Sequence, residues 1–414
     1  MNELLHLLKI NPFNRIMFGL VLMIAGQYMS AMTGGLIFQL PFAIVAWYFI
    51  IPAFKNIKGK RLPFTGFYKG IFILYAIAVI IMLLRGFLSD VRQYENLKGM
   101  IHFYFVSPSF FIAYFVPLVV FIPKEYFSLK MSVKCATIIG VLSLFVVAIS
   151  YQQIVQTSML LNAGLIDSEG NISGFRIYES FAFIALCGMY LTKRQWICNL
   201  LGLGTVLFTT LIFARRGGSV TGAVLLIISL YYWAKSNKSF AVRLFMYIAS
   251  VAVIGFIAYQ VLYSDMFAFL HARGFEDTRS HVEEALLEQM TEFDMWFGKG
   301  LNGRYWLPLS PESEGWRYGC ETGFLNYVLK GGYVMIGLYI ILLLVPAIKG
   351  LWHSNNYLCK IGGVYMILSL LELYPFGIFI FNTKFFIIWM MASICMSKKW
   401  RMMNDEEIKK RIFS

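Results

Sequence analysis

The chain has 414 residues, 59% of them hydrophobic and 14% charged, with a formal net charge of +14 and a mean hydropathy of +0.67. A single soluble core cannot hide that much apolar surface, so a water-soluble globular protein is excluded and an all-α polytopic integral membrane protein is predicted. The surplus of Lys and Arg is charge to be divided between two sides of a membrane, not a nucleic-acid footprint.

In chain order, the opening MNELLHLLKINPFNR has no apolar stretch of useful length before Arg15, which predicts no cleavable leader. Apolar runs then predict helices at about 16–34, 36–54, 70–88, 103–122, 134–151, 177–192, 195–214, 217–234, 241–262, 323–347, 357–374 and 376–396, about twelve crossings in one transmembrane domain spanning 1–414. The connecting segments are unequal in charge. Lys9 and Arg15, then Lys55, Lys58, Lys60, Arg61 and Lys69, then Lys124, Lys130 and Lys134 fall on one side. Lys193 and Arg194, Lys235, Lys238 and Arg243, Lys349 and Lys360, and the basic tail 397–414 fall on that side too. The positive-inside bias makes that side cytoplasmic, so both termini are expected inside and the long loop 263–322 outside.

Against that bias stands FARRGGSV at 213–220, which puts Arg215 and Arg216 on the outer side. One reading is a miscounted crossing, which would return the pair to the cytoplasm. The other is an anion site. A guanidinium grips phosphate in two places at once, Gly217 and Gly218 let backbone approach closely, and the next helix starts there with free N–H groups.

Within the outer loop, RSHVEEALLEQMTEF reads as an amphipathic helix with Val282, Leu286, Met290 and Phe293 on one face, capping-box spacing at Ser280 and Glu283, and Arg279 at its start. GKGLNG at 298–303 fits G-x-G-x-x-G but has no βαβ context, so it is read as a turn. Trp306 and Trp316 either anchor at the membrane interface or stack on sugar rings. Glu321, at the entrance of the 323–347 helix, either serves the helix terminus or acts as a general base, with Glu283, Glu284, His281 and Glu179 as the other candidate bases. Lys330, Gly331 and Gly332 follow about two turns deeper, where small residues permit tight helix contact. Arg176 is a further outer cation, Arg85 and Arg92 flank another outer loop, and Glu372 and Lys384 are expected to pair or to line a pathway. His102, His271 and His281 lack metal-ligand spacing, the six cysteines form no CxxC pair, and D-x-D is absent, so no metal and no cofactor are expected.

Together, FARRGGSV, the RSHVEEALLEQMTEFDMWFGKGLNG segment and the register Glu321, Leu325, Val328, Gly332 resemble the O-antigen polymerase and ligase superfamily over roughly 170–345. In ligase-like members the late helix begins with His-Asn; here Glu321 and Thr322 stand in those places, and Ala214 replaces the serine of the family's Ser-Arg-Gly region. The resemblance implies a GT-C-like, metal-independent glycosyltransferase of the bacterial inner (plasma) membrane. Such an enzyme joins oligosaccharide repeat units carried on undecaprenyl pyrophosphate into a surface polysaccharide, with a flippase and a chain-length regulator as partners. It assigns Arg215 and Arg216 to the pyrophosphate, with Arg176 and Arg279 helping, Glu321 as base, and the acidic loop helix as a lid. The alternatives are a ligase that moves finished glycan to another acceptor, and a flippase or transporter. A carrier predicts internal repeats and matching broken helices, which the sequence does not display.

Overall fold

The computed structural model describes residues 11–33, 39–55, 62–162, 173–213, 215–236, 280–307, 315–377 and 379–413, with scattered positions between 240 and 259. Most of the helix expected at 241–262, Arg279 and part of the 263–322 loop lie outside the described residues. The long helices are α1 (Pro12–Thr33), α2 (Gln39–Lys55), α3 (Gly66–Leu88), α4 (Lys130–Ile149), α5 (Tyr151–Asn162), α6 (Lys193–Ile212) and α7 (Arg216–Ser236). In the loop come α8 (Ser280–Glu288), α9 (Glu292–Phe297), and an antiparallel hairpin of β1 (Tyr305–Leu307) and β2 (Gly315–Arg317). The chain ends with α10 (Gly323–Trp352), α11 (Tyr357–Leu371), α12 (Thr383–Met396), α13 (Lys398–Met402) and α14 (Asp405–Ile408).

Among the described residues six helical segments are long and apolar enough to cross a membrane, and three shorter apolar helices accompany them, which is the make-up of a multi-pass all-α membrane protein. α3 shows why: Phe67, Ile80 and Leu84 are more than half exposed, an arrangement suited to lipid and not to water. Polar caps set the helix starts. Thr192 and Gln195 form a capping box for α6, Asn356 accepts from the Cys359 N–H at 2.9 Å to start α11, and Asn382 accepts from Phe385 N–H at 3.1 Å to start α12.

Three expected helices are broken. The 103–122 run is a π turn (His102–Val106) followed by a 3-10 helix (Phe111–Phe121), with Pro108 between them and Pro117 inside the second. The 177–192 run is divided into Ser173–Phe181, Ala182–Leu186 and Gly188–Tyr190, of which only the middle piece is α. The last run starts at Thr383, because the chain turns through Gly377 and is recapped by Asn382.

A fourth break lies inside α10. Gly332 takes φ 71°, ψ −179°, and a methyl group there would overlap the backbone of Trp296 and Phe297. The carbonyls freed by this break are taken by the 298–303 turn: Lys299 N–H donates to Leu329 O at 2.7 Å and Gly300 N–H to Lys330 O at 2.9 Å. The buried Lys330 ammonium donates back to Gly303 O at 2.9 Å, and Leu301 N–H reaches Met82 O of α3 at 3.2 Å. GKGLNG is therefore a backbone clamp that joins the end of α3 to the break in α10. Arg85 reinforces it, pairing with Asp294 at 3.1 Å and donating to the carbonyls of Phe297 and Gly298.

The contacts define two ends of the bundle. At one, Asn355 N–H donates to Arg401 O at 2.8 Å, Tyr357 N–H to Asp405 at 2.9 Å and Leu129 N–H to Ile412 O at 2.9 Å, while Phe13 meets Phe127 with ring centroids 5.0 Å apart. This tail end gathers Lys124, Lys130, Lys193, Lys235, Lys349, Lys360 and the basic tail. At the other, the loop end, Gly323 packs on Gly377 and the clamp ties α3 to α10.

Candidate anion site at the loop end

Residues 173–181 bring the first functional group into place. Within this segment Arg176 Nη2 lies 2.7 Å from Glu179 Oε2. Arg176 itself leaves helical geometry (φ −107°, ψ 20°), and its Nε is buried without a hydrogen-bond partner. The opposite side of the segment is fixed: the Tyr178 hydroxyl donates to Asn199 Oδ1 of α6 at 2.6 Å, and Asn199 Nδ2 donates to Thr137 Oγ1 of α4 at 3.2 Å.

α12 supplies the second pair. Thr383 Oγ1 donates to Ser180 O at 2.7 Å, which docks the start of α12 against the 173–181 segment. The next residue, Lys384, is ion-paired with Glu372 at the end of α11. Glu179 lies within electrostatic reach of Arg176 and Lys384 together. The result is an alternating row of charges, Arg176, Glu179, Lys384, Glu372, drawn from three elements far apart in the chain.

α7 closes the site. Its first turn abuts the Arg176 guanidinium so closely that a Cβ on Gly218 would sit 3.3 Å from Nη2. The turn is held by Arg215 N–H donating to Thr210 O at 2.8 Å and by Ser219 Oγ donating to Arg215 O at 3.1 Å. A narrow cleft results, lined by Arg176, Glu179, Gly218 and Thr221 together with Leu203, Val206 and Leu225. A fixed guanidinium beside a glycine-rich helix start can hold a phosphate oxygen.

A second group forms on the loop. Trp306 and Trp316 pair directly across the hairpin, ring centroids 5.4 Å apart, and both are exposed. Arg304 lies 3.8 Å over the Trp316 ring. Gln289, in the turn after α8, fixes the platform by bonding both backbone groups of Trp306, at 2.8 and 2.7 Å. Strand alternation turns Tyr305 inward, where its hydroxyl meets Gly319 O at 3.2 Å and burial pushes its ionisation up. Burial likewise raises the Cys320 thiol, with the Glu283 and Glu321 carboxylates adding to the effect.

The sequence-predicted residues are thus divided. Arg176 and Gly218 meet, and Trp306 and Trp316 meet. Glu321 is exposed beside Tyr305 and Cys320, with the tryptophan group. It is not the helix cap: Thr322 occupies that position, and its hydroxyl donates to the Glu283 carboxylate. Gly217 opens α7, Arg215 is half-buried just before it, and the Arg216 side chain and Arg279 lie outside the described residues. Val282 and Leu286 of α8 and Met290 just beyond it are buried as the amphipathic pattern requires, but Phe293 is 60% exposed because a Thr291–Asp294 capping box starts a new helix and resets the phase. Among the described residues no three His, Cys, Asp or Glu side chains converge as a metal-ligand set, and the six cysteines are free. Glu372 and Lys384 pair, one of the two outcomes expected of them; that Glu179 joins them in one row was not visible in sequence. No protein-family model, curated protein or solved structure matches the chain.

Proposed function

We propose that this protein is a glycosyltransferase that joins oligosaccharide repeat units carried on a polyprenyl diphosphate at the extracytoplasmic membrane face. The observation that carries the reading is the cleft where Arg176 abuts the first turn of α7, at the same end of the bundle as the junction of the outer loop with α10. The donor diphosphate lies against Arg176 and the Arg215-Arg216-Gly217-Gly218 start of α7. The acceptor sugar stacks on the Trp306–Trp316 platform. Its hydroxyl oxygen attacks the anomeric carbon of the donor sugar, the bond from that carbon to the diphosphate oxygen breaks, and the hydroxyl proton passes to Glu321. The negative charge left on the diphosphate is what the arginines stabilise. The two groups are mechanically linked, since Gly323, just after Glu321, rests on Gly377, between Glu372 and Lys384.

The helix breaks favour a second reading. Interruptions at 102–111, at Gly332 and at 377–382 are the kind that line substrate paths in carriers, and a flippase of the same lipid-linked glycan would use the same diphosphate site. Reconstitution separates the two. Purified protein in liposomes containing lipid-linked repeat units is expected to yield a ladder of joined units, without added nucleotide, and Arg176→Gln to slow it by roughly 10²–10³-fold. Movement of intact units between leaflets with no ladder would replace the polymerase by the carrier. Transfer of preformed chains to a different acceptor, with no repeat-unit ladder, would replace it by a ligase.

A further inference from the structure

The four charges of the row balance one another, so an anion arriving at Arg176 meets a guanidinium already engaged. Glu179 holds Nη2 at 2.7 Å from three residues along the chain, across the kink at Arg176. Arg176 Nε, buried and without a partner, shows that Glu179 does not satisfy the whole guanidinium. Glu179 has a second cation in reach, Lys384, and it is the most exposed of the four, with 36% of its side-chain surface accessible against 18% for Arg176, 13% for Lys384 and 18% for Glu372. The groups facing Glu179 are Arg176 on its own element, Lys384 on α12 and Tyr365 on α11; Glu372 acts on it through Lys384.

We propose that Glu179 is a displaceable counter-ion of a diphosphate site: it occupies Arg176 when the site is empty, and it moves to Lys384 when a diphosphate takes the guanidinium. This deepens the reading given under Proposed function and rests on it for the ligand. The exchange keeps each buried charge paired before and after binding, which avoids the cost of leaving Arg176 bare in the empty protein. It also carries ligand occupancy from the 173–181 segment to the 372–384 segment, and thence to the Gly323–Gly377 contact under the outer loop.

The test is diphosphate binding to the full-length protein in detergent, by calorimetry, with farnesyl diphosphate and inorganic pyrophosphate as separate probes. Glu179→Gln frees Arg176 and is expected to tighten binding at least about fivefold, from the loss of a competing charge. Lys384→Gln removes the alternative partner and is expected to weaken binding by a similar factor, and the double variant to bind as tightly as Glu179→Gln alone. Glu179→Asp, whose shorter reach loosens the pair, is expected to fall between wild type and Glu179→Gln, and it serves should Glu179→Gln fail to fold. Equal or weaker binding by both Glu179 variants would overturn the counter-ion role and leave the diphosphate site standing. No binding of either probe by any form would overturn both. Farnesyl diphosphate binding without pyrophosphate binding assigns the site to a lipid headgroup; equal binding of both probes assigns it to the diphosphate alone, and the exchange is judged by the variants in either case.

Discussion

The tail end and the loop end of the bundle are built from the same apolar helices but satisfy their polar groups in opposite ways. At the tail end, one buried side chain closes several termini. Asn356 caps α11 and donates to the carbonyls of Trp400, Arg401 and Met403 at 2.9, 3.3 and 3.1 Å. At the loop end, α10 is broken at a glycine of positive φ, its freed carbonyls are completed by a turn from another segment, and four charged side chains form two ion pairs within the bundle. Irregular backbone and embedded charge cost free energy, and proteins keep them where a ligand or a moving part needs them. The contrast teaches that polar groups at the tail end serve the packing of the helix ends, while those at the loop end are held in strained or charged arrangements, which is where the proposed site lies.

The largest expected effect comes from Gly332→Ala. The substitution places a Cβ at φ 71° against the Trp296–Phe297 backbone, and strain plus overlap are expected to cost about 3 kcal/mol or more. Gly337→Ala, one turn on in the same helix and with open space at its Cβ, is the control: it is expected to be neutral or to stabilise by up to about 1 kcal/mol. Thermal unfolding in detergent compares them. Equal melting of the two variants would mean that the clamp does not depend on the glycine break.

Asn356→Ala comes next. Loss of the cap and of the donors to three carbonyls is expected to cost about 2–3 kcal/mol. The comparison between the ends is sharpest here, because diphosphate binding per folded molecule is expected to stay at the wild-type value. A binding defect in protein that remains folded would show the tail end to be coupled to the site.

Much of this was legible in the sequence, for identifiable reasons. α3, α4, α6, α7 and α11 are apolar runs, α6 and α11 with polar N-caps, and local composition places them to within a few residues. The break at Gly332 was not legible, because Lys330-Gly331-Gly332 reads equally well as a packing seam, and its positive φ depends on Trp296 arriving from another segment. The Arg176–Glu179 pair was readable as an i,i+3 spacing. The Glu372–Lys384 pair was an expectation as well, but the joining of the two pairs was not legible, because Thr383 docking on Ser180 joins residues some two hundred positions apart. Phe293 was placed on the wrong helix because Thr-Glu-Phe-Asp, 291–294, was read as the end of one helix when its capping spacing marks the start of the next.

The smallest expected effect probes the seam between loop and α10. Cys320 is buried beside Glu283 and Glu321, and burial first, then those carboxylates, hold its thiol above the ordinary cysteine range. The thiolate is the nucleophile, so the sign follows directly: a raised thiol is less ionised at a given pH, and its alkylation keeps rising at pH values where a free thiol, with its midpoint near about 8.5, has levelled off. Restricted access lowers the whole curve without moving its midpoint, so the midpoint is the quantity to read. Mass spectrometry of Cys320 after timed iodoacetamide labelling is expected to give a midpoint above that of the same residue in unfolded protein. Glu283→Gln is expected to bring it part of the way down, raising the rate at pH 8 by roughly two- to threefold through loss of one nearby charge. A midpoint at or below the unfolded value would show that water reaches the seam and that the loop stands off α10. The clamp at 298–303 would then hold the loop by its far side alone, and the link from Glu321 to the 372–384 segment would have no rigid path.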